Sequence, residues 1–140
     1  MVADGAAMWD LARQAPGLDL NSPYSYLILC RHFPETCVVA GSGRALDGFL
    51  TGYLPPGRDD TVFVWQIAVA PGVRRGGLGR RLIEALLVRL HPAGVRFLEA
   101  TVSPGNHASL ALFRSVARDH DVQYTESPFF EAEDFPTEGA

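Results

Sequence analysis

Residues Val62 to Leu90 read VFVWQIAVAPGVRRGGLGRRLIEALLVRL. The first eight, Val62–Val69, are apolar at every position but Gln66 and rich in β-branched and aromatic side chains, the character of a strand. Ala70-Pro71-Gly72 breaks that run and leads into Arg74-Arg75-Gly76-Gly77-Leu78-Gly79-Arg80-Arg81. From there Leu78, Leu82, Ile83, Leu86, Leu87 and Leu90 recur at helical spacing. A strand that delivers a glycine-rich, cationic turn onto a helix N-terminus is suited to holding phosphate. The first helical turn offers backbone N–H groups without intrahelical partners, and the helix dipole adds positive potential. Glycine lets the main chain come close to a ligand. The four arginines supply fixed charge on fork-shaped donors.

Outward from this stretch, the N-terminal side predicts two helices and two strands. Met8, Trp9, Leu11 and Ala12 mark a weak amphipathic helix that ends before Pro16-Gly17. Ser22 is a good N-cap and Pro23 fits the first helical position, so a second helix is expected from Pro23 to about Phe33, stopped by Pro34. Tyr24, Leu27, Ile28 and Cys30 are its expected inward residues. Thr36 to Gly41 and Leu46 to Leu54 read as an antiparallel hairpin, with Gly48 and Gly52 marking a bulge or a close approach to the backbone. On the C-terminal side, Val95 to Val102 is a strand expected to lie parallel to Val62–Val69, because a helix makes the crossover. Asn106 caps a helix to about Asp119 that packs through Leu110, Leu112, Phe113 and Val116, and Val122 to Thr125 reads as a short last strand. The fold class is α/β (α+β): one domain over residues 1–140, with a mixed sheet that is antiparallel in its first half, a parallel βαβ unit after it, and helices on both faces. A ligand site is expected where the parallel strands diverge, at the carboxyl end of Val62–Val69.

Composition bounds the function. With 140 residues and 47% hydrophobic content the chain can bury a core. A net charge of −4 with local basic residues argues against general nucleic-acid binding. Cys30 and Cys37 have no metal or redox spacing and read as reduced, buried thiols, so no metal is expected. No apolar run is long enough for a membrane span and the N-terminus lacks a signal-peptide layout, so a soluble, cytoplasmic protein is the default expectation.

Among phosphate loops, Gly-x-x-x-x-Gly-Lys-Ser/Thr and Gly-x-Gly-x-x-Gly are both absent. Arg74-x-x-Gly77-x-Gly79, preceded by a strand and followed by an apolar helix, resembles the acyl-coenzyme-A pyrophosphate loop of the GNAT superfamily of N-acetyltransferases. A second signature of that superfamily is matched by Asn106-x-x-Ser109-x-x-Leu112-Phe113. Within the superfamily, Leu18-Asp19-Leu20-Asn21-Ser22-Pro23-Tyr24-Ser25-Tyr26-Leu27, Gly48-Phe49-Leu50-Thr51-Gly52-Tyr53, Phe63-Val64-Trp65-Gln66-Ile67-Ala68-Val69 and Leu98-Glu99-Ala100-Thr101-Val102 resemble the L-2,4-diaminobutyrate acetyltransferases of ectoine biosynthesis. That resemblance covers nearly the whole chain. Family members have one strand before the first helix and another after the aromatic segment, and both are expected to be short or absent here.

The resemblance implies acetyl-CoA as cosubstrate, the γ-amine of diaminobutyrate as acceptor, and a homodimer. It implies that the backbone of Ile67, Ala68 and Val69 pairs with the pantetheine, and that Arg74, Arg75, Gly76, Gly77, Leu78 and Gly79 take the pyrophosphate. Arg80 and Arg81 are candidates for the outer phosphate, against the alternative of a solvated helix face. Asn106, Ser109 and Phe113 belong to the second signature. An amine with two ammonium groups calls for carboxylates and an aromatic wall, and Asp19, Asn21, Tyr24 and Trp65 are the candidates. Asp19 and Asn21 also suit a turn, and Trp65 also suits ordinary core packing. If Trp65 faces the pocket, strand alternation places Ile67 and Val69 beside it. The base is open among Asp19, Glu99 and Glu126. Many superfamily members place an acidic Tyr where this chain has Phe113, which leaves Tyr24, Tyr53 and Tyr124 as donors. His107 reads as solvent-facing. Three alternatives remain: acetylation of another small amine, a non-catalytic acyl-CoA-binding module, which CoA affinity without turnover would favour, and a plain nucleotide-phosphate binder.

Overall fold

The computed structural model describes residues 2, 4–14, 21–42, 45–103, 105–127 and 129, and the side chains of 42, 45 and 74–76 lie outside that description. Met1–Ala100 form one compact unit and Thr101–Ala140 a second.

The first unit opens with helices Asp4–Gln14 (α1) and Pro23–His32 (α2). Pro23 sits in the first turn of α2, and Ser22 Oγ accepts a hydrogen bond from the Ser25 N–H at 3.3 Å. The helix stops at His32, and Pro34 opens a short 3-10 turn, Pro34–Thr36. The inward face of α2 differs from the expectation except at Cys30, which is buried as expected. Tyr26, Leu29 and Cys30 are its buried residues, while Tyr24 is 69% exposed and Leu27 is exposed too. Both sets fit the i, i+3, i+4 rule, and packing against α1 and the sheet selects the second. The Cys30 thiol lies 3.8 Å from Met8 Sδ of α1, inside that contact.

Val38–Ser42 (β1), Ala45–Tyr53 (β2), Thr61–Val69 (β3) and Phe97–Ala100 (β4) make a four-stranded sheet in that order. β1–β2 and β2–β3 are antiparallel and β3–β4 is parallel, with Leu78–Leu90 (α3) in the crossover. Phe49 and Ala68 join Ala7, Met8, Leu11, Tyr26, Leu29 and Cys30 in one apolar cluster under α1 and α2. The opposite face lies against α3, whose Leu78, Leu82, Ile83, Leu86 and Leu90 are buried. A Cβ built on Gly48 of β2 would come within 3.0 Å of Leu78 and 3.3 Å of Leu82, which shows how closely α3 rides on that strand. Gly52 fulfils the other half of the glycine reading: a Cβ there would meet the Phe63 carbonyl oxygen at 2.6 Å, and the β2–β3 register shifts beside it.

In the second unit, His107–Asp119 (α4) begins at Asn106, whose Oδ1 accepts from the Ser109 N–H at 3.2 Å. Val116 is buried and Leu110, Leu112 and Phe113 are half-buried. Val122 to Thr125 is not a strand. Its residues are exposed and no ladder forms there, because an apolar alternation without a partner strand has nothing to pair with.

The α2 cap gives a direct test. Ser22→Ala removes the side-chain acceptor for a first-turn N–H and should lower stability by about 1 kcal/mol; urea unfolding with an unchanged midpoint would show that the cap contributes nothing.

Candidate active site

β3 and β4 run side by side only from Thr61↔Phe97 to Val64↔Ala100. Beyond that point Trp65–Val69 continues with no strand paired on that edge among the described residues. The strands thus part at Val64, in the middle of β3 and earlier than the carboxyl end where the sequence places the divergence, because β4 is Phe97–Ala100 and not the longer Val95–Val102. Main-chain N–H and C=O groups along such an edge need a partner, and an extended ligand rich in amides supplies one.

At the end of β3 the Ala70 N–H donates to the Asp47 carbonyl at 2.7 Å, and the chain turns through a 3-10 stretch, Pro71–Gly76. Gly77 then adopts φ 72° and ψ 22°, in the left-handed region, and becomes the N-cap of α3. A residue with a Cβ is disfavoured there by its own backbone. Among the described residues no side chain caps α3. An uncapped helix start behind a left-handed glycine is a concave, N–H-lined surface for an anion. Leu78 turns its side chain into the core, which leaves only its main chain open to a ligand. Arg80 reaches Glu84 at 3.8 Å and stays partly exposed. Of Arg74, Arg75 and Gly76 only the backbone is described, and it forms the 3-10 turn.

Trp65 is half-buried and packs against the cluster under α1 and α2. The expected alternation with Ile67 and Val69 does not hold. Thr51 pairs with Gln66 and Gly52 with Val64, so Trp65 is an extra residue on β3 and a bulge resets the faces. Trp65 and Gln66 both meet Tyr26: the Tyr26 hydroxyl donates to Gln66 Oε1 at 2.8 Å, and the Tyr26 and Trp65 ring centroids are 6.5 Å apart. Neither Tyr26 nor Gln66 stood out as a site residue in the sequence. The available signal was a single polar residue inside an apolar strand.

The other candidates fall on several elements of the two units. Tyr24 is exposed in the first turn of α2 and Asn21 is half-buried just before its cap, while Asp19 lies outside the described residues. Tyr53 is stacked between Phe33 and Phe63, with centroids at 6.3 and 5.3 Å. Glu99 on β4 is held by the Arg58 guanidinium through both its oxygens, one at 3.2 Å. It is thus an ion-pair partner at an exposed position. In the second unit Asn106 and Ser109 form the α4 cap and His107 is exposed. Glu126 accepts from both Tyr124 and Arg114. The Tyr124 hydrogen bond, helped by Arg114, holds the Glu126 carboxyl below its usual range, and the same bond pushes the Tyr124 hydroxyl up. A depressed carboxylate already bonded to two donors is a poor proton acceptor. Cys30 and Cys37 are free and buried, and burial pushes both thiols up, away from nucleophilic character. Among the described residues no group of three or more His, Cys, Asp or Glu is placed to hold a metal ion, and no helix is long and apolar enough to cross a membrane.

Residues 6–117 match the acetyltransferase (GNAT) family. The L-2,4-diaminobutyric acid acetyltransferase of Nocardia farcinica is 51% identical over 140 residues, covering 99% of this chain and 72% of that protein. The enzyme of the same name from Shouchella clausii is 47% identical over 135 residues, covering 96% of this chain and 75% of its own. Among solved structures, diaminobutyrate acetyltransferase EctA from Paenibacillus lautus, in complex with its substrate L-2,4-diaminobutyric acid and coenzyme A, superposes with a TM-score of 0.92 at 39% identity, over 99% of this chain and 83% of that one. Ard1 from Thermoplasma volcanium, at 19% identity and a TM-score of 0.73 over 82% of this chain and 76% of its own, shares the fold.

The Glu126 arrangement fixes a pH sign. A carboxyl whose folded value is depressed contributes stability above its unfolded value of about 4.3 and loses it as pH falls through the folded one. In Tyr124→Phe the Glu126 carboxyl should therefore titrate at higher pH than in the parent, as followed by side-chain carboxylate NMR; equal midpoints would mean that the tyrosine does not hold it.

Proposed function

The chain belongs to the acetyltransferase (GNAT) family, among the L-2,4-diaminobutyric acid acetyltransferases, and on that premise we propose that it moves acetyl from acetyl-CoA to the γ-amine of L-2,4-diaminobutyrate, the acetyl-transfer step of ectoine biosynthesis. The observation that carries this reading is the unpaired edge of β3 beyond Val64, ending in the uncapped α3 behind Gly77. The residues fit the cosubstrate. Ile67, Ala68 and Val69 offer main-chain groups along an extended edge, and Gly77, Leu78 and Gly79 open a helix start to phosphate. Arg74, Arg75 and Arg80 add charge at that end. When bound, acetyl-CoA supplies an acyl group already activated as a thioester.

The chain's own work is positioning and water exclusion. Holding an amine and an acyl carbon in reacting geometry removes much of the entropic barrier. A main-chain N–H near Val69 is the donor we assign to the developing oxyanion. On the amine side Trp65 forms an aromatic wall, with Asp19, Asn21 and Tyr24 of the segment around the start of α2 as the polar candidates. The γ-ammonium has a pKa of about 10 in water, so it must lose its proton before attack. Glu99 and Glu126 are each engaged by an arginine, which favours proton loss to solvent over either of them. The fuller reading includes a homodimer in the cytoplasm serving osmoprotection, supported by the family resemblance; light scattering at the mass of a single chain would contradict the dimer.

Thiol release from acetyl-CoA, measured over a panel of amines, tests the activity. Diaminobutyrate should give the highest kcat/KM. A preference for a polyamine or a peptide N-terminus would move the assignment within the family, and CoA binding without turnover of any amine would make the chain a binding module. Gly77→Ala isolates the phosphate end. Among the described residues a Cβ there meets nothing within 4 Å, so the substitution acts through the positive φ. Left-handed strain of about 1–2 kcal/mol predicts a rise of about 5- to 30-fold in the KM for acetyl-CoA. The amine KM should stay put, and an unchanged acetyl-CoA KM would place the phosphates elsewhere.

A further inference from the structure

Three polar side chains lie buried on the α1–α2 face of the sheet, where apolar groups would pack as well. Gln66 and Thr51 are cross-strand partners at the bulge, and Tyr26 reaches Gln66 from α2. Tyr26 and Thr51 are fully buried and Gln66 is nearly so. Their hydroxyls differ in one respect. Tyr26 Oη donates to Gln66 Oε1 at 2.8 Å, whereas Thr51 Oγ1 has no hydrogen-bond partner among the described residues. The Tyr26 ring is anchored without its hydroxyl, edge-on to Phe49 at 5.9 Å. The hydroxyl therefore adds a bond to Gln66 that ring packing does not need.

Gln66 is the residue after the bulged Trp65. A bulge leaves its extra residue outside the regular ladder, so its local conformation depends on neighbours. Holding the Gln66 side chain from α2 fixes the strand one residue away from the indole, and the Tyr26 ring itself lies beside that indole. We propose that Tyr26 is a positioning residue for the amine side of the site: through Gln66 it fixes the bulge that aims Trp65. Trp65 as amine wall rests on the proposed acetyltransferase function; the hold on the bulge does not.

The test compares Tyr26→Phe with Thr51→Val in the full chain. Each removes one buried hydroxyl from the same face, one bonded and one not. In ligand-free protein, Tyr26→Phe should speed hydrogen exchange at the amides of residues 65–67 by up to about tenfold, the worth of one hydrogen bond, and leave α3 unchanged. Thr51→Val should match the parent. In steady-state assays Tyr26→Phe should raise the diaminobutyrate KM by a similar factor and leave the acetyl-CoA KM alone. Gln66→Met, which removes the acceptor at equal length, should reproduce both shifts. Exchange at 65–67 unchanged in Tyr26→Phe overturns the proposal. So does faster exchange with the two KM values unmoved or raised together, which would mean general loosening. A parent protein that does not acetylate diaminobutyrate fails the proposed function instead, and the exchange comparison then decides alone whether Tyr26 holds the bulge.

Discussion

β3 is hydrogen-bonded to β2 along nearly its whole length, but to β4 only as far as Val64. That asymmetry is the constraint on which the site depends. A central strand normally satisfies both edges within its own sheet, and an edge left open exposes a row of directional donors and acceptors. Here the opening begins at Trp65 and ends at the turn into α3. The same stretch of chain thus presents amide-pairing groups along its side and an uncapped helix start at its end. A ligand with amides in its arm and phosphates at its tail suits both, and the arginines of residues 74–81 add charge to what the main chain offers.

The bulge solves a problem that the open edge creates. In an unbroken ladder, Trp65 would share a face with Ile67 and Val69. With the extra residue, Trp65 and Gln66 both turn toward α2, while Leu50, the partner of Ile67, lies on the α3 face with Val38. The strand can then offer backbone to one ligand along its edge and an aromatic side chain to another from its face. Buried polar atoms are costly unless bonded, so the Tyr26–Gln66 pair is a specific feature and not core filling by default.

Most of the fold was legible because its signals were local. Ser22-Pro23 marks a helix start through cap chemistry, Asn106 does the same for α4, and the apolar run from Val62 ending at Pro71-Gly72 marks a strand followed by a crossover. The phase of α2 was not legible, since Tyr24-Leu27-Ile28 and Tyr26-Leu29-Cys30 are equally helical stripes and only the neighbouring α1 distinguishes them. The bulge at Trp65 depends on register with β2, a long-range property that no window of sequence contains. Glu99 reads in the sequence as a candidate base; its partner is Arg58, 41 residues earlier in the chain. Val122 to Thr125 had strand composition and no strand to pair with. The turn at Gly77 and the end of β3, written in glycines and in a strand end, could be read directly. The surroundings of Trp65 depend on tertiary contacts and could not.

Charge completes the argument. The two proposed substrates are opposite in character: one carries phosphates and the other two ammonium groups, so a uniformly charged surface would repel one of them. All 12 basic residues of this chain are arginines, and Arg74, Arg75, Arg80 and Arg81 fall within eight consecutive positions. The other eight are set against 16 acidic residues in the rest of the chain. Screening confines each region's field to about 8 Å at physiological ionic strength, so a compact cationic loop can attract phosphate while the acidic remainder attracts an ammonium. Arginine suits such a loop better than lysine because its planar fork meets phosphate oxygens two at a time. Segregated charge therefore does at the surface what the bulge does within β3: it keeps the demands of donor and acceptor on separate groups of one small sheet.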